Sequence, residues 1–186
     1  MSATALPVLG PCQVWLGPAG AEAELGKTHD VHFYCEETAA DITYAQTGVG
    51  PWDKVITGKT ARVEADFANL SHALLESLIN GATIYTDGAT PAVCDQVLDI
   101  QLGIGRTYRC NAERIILMPY EGCESDGAPS PNPCDWIFGP LAYPRVELDW
   151  IFNATDQRVV HTIFDLLPES QSVPRLWFMG DETLLP

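Results

Sequence analysis

Residues 53–67 read DKVITGKTARVEADF, and the triplet Gly58-Lys59-Thr60 within them has the composition of a phosphate-binding loop. Such a loop needs the pattern G-x-x-x-x-G-K-[ST] between a strand and a helix, so that backbone N–H groups and the lysine wrap the phosphates. The position owed to the first glycine holds Asp53, whose carboxylate would face the phosphates with the wrong sign. No helix follows either. Ala61, Val63, Ala65 and Phe67 alternate strictly with Thr60, Arg62, Glu64 and Asp66, the period of a half-buried strand. The triplet reads as a turn glycine feeding a strand.

The other groups that can do chemistry are equally unanchored. HDVHFYCEE places His29, His32 and Cys35 close together, but on a strand residues 29 and 35 share a face and residue 32 does not. A metal needs its ligands to converge, so no metal is expected there. Six cysteines stand at positions 12, 35, 94, 110, 123 and 134, with no C-x-x-C spacing. Without a recognisable signal peptide, reduced and mostly buried thiols are the default. Cys123 and Cys134 flank ESDGAPSPNP, and a disulfide closing that loop is the candidate bridge. The four histidines offer cysteine partners only by chance, with no local signature around any pair. Twenty-five acids guarantee chance carboxylate pairs. GIGRTYR at 103–109 stops short of a dinucleotide fingerprint. The sequons at Asn69 and Asn153 matter only on a secretory route. No enzyme, cofactor or metal is therefore expected.

Composition narrows the classes further. The chain has 186 residues, 46% of them hydrophobic, enough for one domain with a substantial core. No apolar run approaches the roughly 18 residues of a membrane span. The N-terminal MSATALPVLGPC lacks the basic and apolar regions of a signal peptide. Twenty-five acids against ten bases leave a net charge of −15, which repels phosphate backbones and argues against tight nucleic-acid binding.

The elements that must position these residues are mostly strands. Residues 12–17, 31–35, 59–67, 97–103, 113–119, 145–152, 158–167 and 174–180 carry β-branched, aromatic or alternating patterns. In 97–103 the inward set is Leu98, Ile100 and Leu102, while 113–119 reads as buried on both faces. One helix is expected over 69–80, with Leu70, Leu74, Leu78 and Ile79 as its apolar stripe. Asp66 or Asn69 is its expected cap, and Asn80-Gly81 its stop. Two long loops, about 36–58 and 120–143, separate strands and are of the length that usually serves function or a partner. No linker or repeat divides the chain. The expectation is a single mainly β domain over 1–186, a β-sandwich or partly closed barrel with one flanking helix.

The run DITYAQTGVGPWDKVITGKTARVEADFANLSHALLESLI resembles the central segment of the tail tube proteins, the major tail proteins of long-tailed phages. In that family a glycine-bearing loop and a P-x-D-x-V-x-x-G turn, here Pro51, Asp53, Val55 and Gly58, enter an alternating strand followed by an acid and a helix. CDWIFGPLAYPRVELDWIFNATDQRVVHTIFDLL is similar to the family's aromatic strand, proline turn, alternating strand, polar turn at Asp156 and final pairing strand, and WFMGD resembles its closing strand. The likeness covers about two thirds of the chain. The cysteine-bearing insert around 120–143 departs from the pattern.

The resemblance implies a structural virion protein without catalysis, assembled in the host cytoplasm and located in the phage tail. Its partners would be copies of itself in stacked hexameric rings, the tape measure and terminator proteins, and genome DNA passing through without tight binding. Inner strands of neighbours would join, removing sheet edges. Loop 36–58, with Glu36, Glu37, Asp41, Tyr44, Trp52 and Asp53, would contact a neighbouring subunit. A lumen lined by Glu64, Asp66, Glu147 and Asp149 would repel DNA, so that the genome slides during ejection. Two alternatives stand beside it. One is a terminator or adaptor ring at a tube end. The other is a soluble β-sandwich module binding a sugar or peptide, with Trp52 or Trp136 as a stacking surface.

Overall fold

The structure, a computed structural model, describes residues 12–42, 53–68, 71–86, 96–101, 104–105, 107–120, 129–148 and 159–185. Among the described residues the fold is mainly β with one α-helix. The strands are β1 (Cys12–Gly17), β2 (Ala23–Glu24), β3 (Thr28–Ile42), β4 (Asp53–Phe67), β5 (Ala82–Thr86), β6 (Gln96–Ile100), β7 (Glu113–Pro119), β8 (Ile137–Glu147), β9 (Val160–Leu167) and β10 (Phe178–Met179), with α1 (His72–Leu78) between β4 and β5. The principal sheet runs β2-β1-β7-β8-β9-β4-β3, antiparallel throughout, with β10 joined to β8. Among the described residues its two ends are not joined to each other, so it is not a closed barrel. A separate ribbon pairs β5 with β6.

Strands far apart in this order share one core, so the sheet folds over itself as a sandwich. Val14 and Leu16 of β1 and Ile115 and Leu117 of β7 meet Ala61, Val63, Ala65 and Phe67 of β4 and Val160, Phe164 and Leu166 of β9. The alternation read in 59–67 is the cause, since the apolar set faces the core and the polar set faces out. β7 is buried on both faces, as expected. Ile116 and Met118 turn away from the main core and pack with Phe138 under Trp15, Trp136 and Phe178. β8 crosses between β7 and β9 at Gly139, where a Cβ would stand 2.7 Å from both Ile115 Cγ2 and Leu166 Cδ2.

Several expectations are corrected. Residues 36–42 and 53–58 are not loop but strand, because β3 and β4 each run for 15 residues. Residues 137–143 likewise belong to β8, which absorbs the front of the strand expected at 145–152. β5 and the two-residue β2 were not anticipated, and of 174–180 only Phe178–Met179 is strand. The helix is shorter than 69–80. Ser71 caps it, accepting from the Leu74 N–H at 3.1 Å, in place of Asp66 or Asn69. Asp66 continues β4 instead, where its side chain meets His161. Leu74, Leu75 and Leu78 bury the helix, and Leu70 lies outside the described residues. Gly81 follows at φ +87°, an angle that favours glycine, with the Gln101 carbonyl oxygen 2.9 Å from where a Cβ would sit. On β6 Leu98 packs on the core, but Ile100 is 52% exposed. Among the described residues no helix is long and apolar enough to cross a membrane.

Candidate assembly surfaces

Three surfaces stand out: an arm, a charged sheet face and an apolar groove. The arm is the distal half of the β3–β4 hairpin. β9 supports β4 only from Arg62 to Phe67. Beyond that, Glu36–Ile42 and Asp53–Thr60 pair with each other and with no third strand among the described residues. Seven residues at about 3.3 Å each carry the arm roughly 23 Å past that support. A register shift at Thr38/Ala39 skips Thr57 in the strand register, and its hydroxyl donates to the Thr38 carbonyl at 3.1 Å instead. That bulge resets the alternation of β4. Ile56 now opposes Ala39 on one face, and Val55 opposes Ala40 on the other. The arm thus exposes an apolar residue on each face, Val55 at 49% and Ile56 at 55%.

The expected contact residues Glu36, Glu37, Asp41 and Asp53 all sit on this arm, on strands rather than in a loop. Glu37 pairs with Lys59 at 3.0 Å and Asp41 with Lys54 at 3.6 Å, both exposed and directly cross-strand. The Asp53 carboxylate accepts the Lys54 N–H at 2.7 Å. Tyr44 and Trp52 lie outside the described residues.

The second surface is the outward face of β3, β4, β9 and β8. Glu64, Asp66 and Glu147, three of the expected lumen acids, come together here, while Asp149 lies outside the described residues. The register brings Asp30, Glu36 and Asp165 onto the same face. It also brings cations. Arg62 contacts Glu64 at 3.1 Å and lies 4.9 Å over the Tyr34 ring, and Arg145 approaches Asp165 at 3.8 Å. His161 meets Asp66 at 2.6 Å and His32 meets Asp30 at 2.9 Å. The face therefore holds six carboxylates against two guanidiniums, acidic in balance but not a bare carboxylate wall.

The third surface was not anticipated. β7 pairs with β8 only as far as Ala142, so on that side residues 143–147 have no strand partner among the described residues. Alongside this open edge lies a groove of about 490 Å³, walled by Leu78 at the end of α1, Ile79 just beyond it, Ile100 of β6, Tyr108, and Tyr143, Val146 and Leu148. Tyr108 stacks on Tyr143 at 3.9 Å between centroids and 5° between planes. Ile100, Tyr108 and Leu148 are 52%, 47% and 42% exposed. The signal for this groove, Ile100 set against a helix end and a strand edge, exists only once the chain is folded.

The remaining candidates separate. His29, His32 and Cys35 are all exposed on β3, with His29 at a register shift, and among the described residues no group of three or more metal-ligating side chains forms. Gly58, Lys59 and Thr60 lie within extended β4 rather than at a strand-to-helix loop, and Lys59 pairs with Glu37. Trp136 is half-buried, donates to the Ser130 carbonyl at 2.8 Å and packs on Phe138, so it belongs to the second core rather than to an open stacking surface. Cys134 is an exposed free thiol, and its expected partner Cys123 lies outside the described residues. Cys35, Cys110 and Cys134 are exposed, not buried as expected, whereas burial pushes the Cys12 thiol up to about 12. No protein-family model matches the chain, and no curated protein matches it in sequence.

Proposed function

We propose that the chain is a self-assembling structural protein, a subunit of the stacked rings of a phage-type tail tube, with no catalytic role. The observation that carries this reading is the unsupported arm. A two-stranded ribbon is marginal in water on its own, and this one exposes Val55 and Ile56 on opposite faces. Such an arm gains stability by lying on another subunit.

The acidic sheet face supports the same reading. Placed toward a lumen, Glu64, Asp66, Glu147 and their neighbours repel DNA phosphates, and the few guanidiniums are occupied by Glu64 and Asp165. The genome then passes without sticking. The open sheet ends at β2 and β3 offer edges that neighbouring copies cover in a ring.

Negative-stain electron microscopy of the purified protein tests this, at high concentration across a salt series. Six-fold rings or hollow tubes are expected as salt screens the −15 charge. Rings that never stack would move the assignment to an end-ring protein. Monomers at every salt concentration would overturn it.

A further inference from the structure

We infer that the groove between α1, β6 and the open edge of β8 is the socket for the β3–β4 arm of a second copy, and that this contact joins subunits end to end. The inference deepens the assembly reading above by naming the receiving surface. It stands on three independent features of the molecule.

The first is direction. Moving out along the arm, β4 runs from Arg62 toward Asp53, away from the level where Asp66, His161 and Glu147 align across the sheet. The groove lies toward that opposite level, beside Val146 and Leu148. The arm therefore points away from its own socket, and only another molecule's arm can fill it.

The second is chemistry. The arm presents Val55 and Ile56 and the groove presents Ile100, Tyr108 and Leu148, all exposed in the single chain. Laid in the groove by its Ile56 face, the arm takes apolar area on both partners out of water.

The third is backbone. Outside its one cross-strand partner, each strand of the arm has an unpaired edge, and residues 143–147 of β8 present another among the described residues. A strand edge laid on a strand edge satisfies both sets of N–H and C=O groups. Pro144 lacks an N–H, so the edge pairs on either side of that position.

Two different patches that fit one another make a heterologous contact, which propagates instead of closing as a two-fold dimer. Two full-length variants test this directly. Ile56→Lys spoils the arm and keeps the socket, and Ile100→Lys spoils the socket and keeps the arm. Each makes the chain less negative, so general charge repulsion cannot account for lost association. Both positions are about half exposed, and matching thermal melts verify that the variants fold.

Sedimentation velocity at high salt is expected to show end-to-end polymers for the native chain, at least a tenfold weaker end-to-end association for each variant, and arm-to-socket pairing restored when the two are mixed. The restored pairing should not propagate, because only one arm and one socket remain intact between the two chains. Leu148→Lys should behave as Ile100→Lys does. Variants that assemble like the native chain would overturn the socket while leaving the assembly reading intact. Native open chains without rings or tubes, lost in both variants, would support the socket and overturn the tail-tube reading. A native monomer throughout would overturn both.

Discussion

At the scale of single residues, Arg114 carries more than its share of the fold. Its side chain is only 13% exposed and lies between Glu22 and Glu182, with the guanidinium 4.9 Å over the Phe138 ring. Glu182 takes two hydrogen bonds at 2.8 and 3.2 Å, while Glu22, 11% exposed, is held at 3.2 Å by charge attraction without hydrogen-bond geometry at Nε. Arg114→Ala leaves the Glu22 carboxylate with the Gly20 N–H but without its counter-charge, and should cost about 3 kcal/mol in urea unfolding. Lys54→Ala removes an exposed pair on the arm and should change the same measurement by less than about 0.5 kcal/mol. The thiols divide in the same way. Cys12 stays protonated because burial raises it to about 12, so at pH 8 a thiol reagent should modify the exposed Cys35, Cys110 and Cys134 and spare Cys12 until the chain unfolds. The folded state then holds a proton that the unfolded chain gives up from its ordinary value of 9.0. Cys12 accordingly contributes stability that is complete below about pH 9 and is lost as pH rises toward 12.

At the scale of elements, the clearest test is the crossing of β8. Gly139→Ala pushes a methyl against Ile115 and Leu166 where two strands already meet, and should cost about 1–3 kcal/mol with no change in the denaturant slope. The elements whose pattern is local were legible in the sequence. The alternation of 60–67 and the unbroken apolar run Ile115–Met118 each announce a strand, because burial on one face or on both is written into successive residues. The arm was not legible. Residues 36–42 and 53–58 have no core beneath them, so their side chains carry no alternation, and only cross-strand hydrogen bonding makes them strands. The acids Glu64, Asp66 and Glu147 could be named from sequence as outward residues, but their gathering on one face depends on β9 lying between β4 and β8. Arg62 and Arg145 join that face through the same register, which is why a count of acids overstated its charge. The groove left no local trace at all, since its walls come from α1, β6, the Tyr108 turn and β8.

At the scale of the whole molecule, charge sets the conditions under which contact can occur. With −15 on every chain, the proposed self-association should strengthen as ionic strength rises from about 0.01 M to 0.15 M, since the screening length shortens from about 30 Å to about 8 Å. Light scattering across a salt titration checks this, and weakening with salt would point to an ion-paired interface instead. The arm's direction has a further effect on anything built through it. A polymer joined arm to socket has two unlike tips, one displaying only free arms and the other only empty sockets. Fragments made by shearing would carry one of each, and so could rejoin end to end or seed fresh growth without a lag. A cap shaped for one tip would leave the other growing, so a defined length demands either two distinct stoppers or an internal ruler.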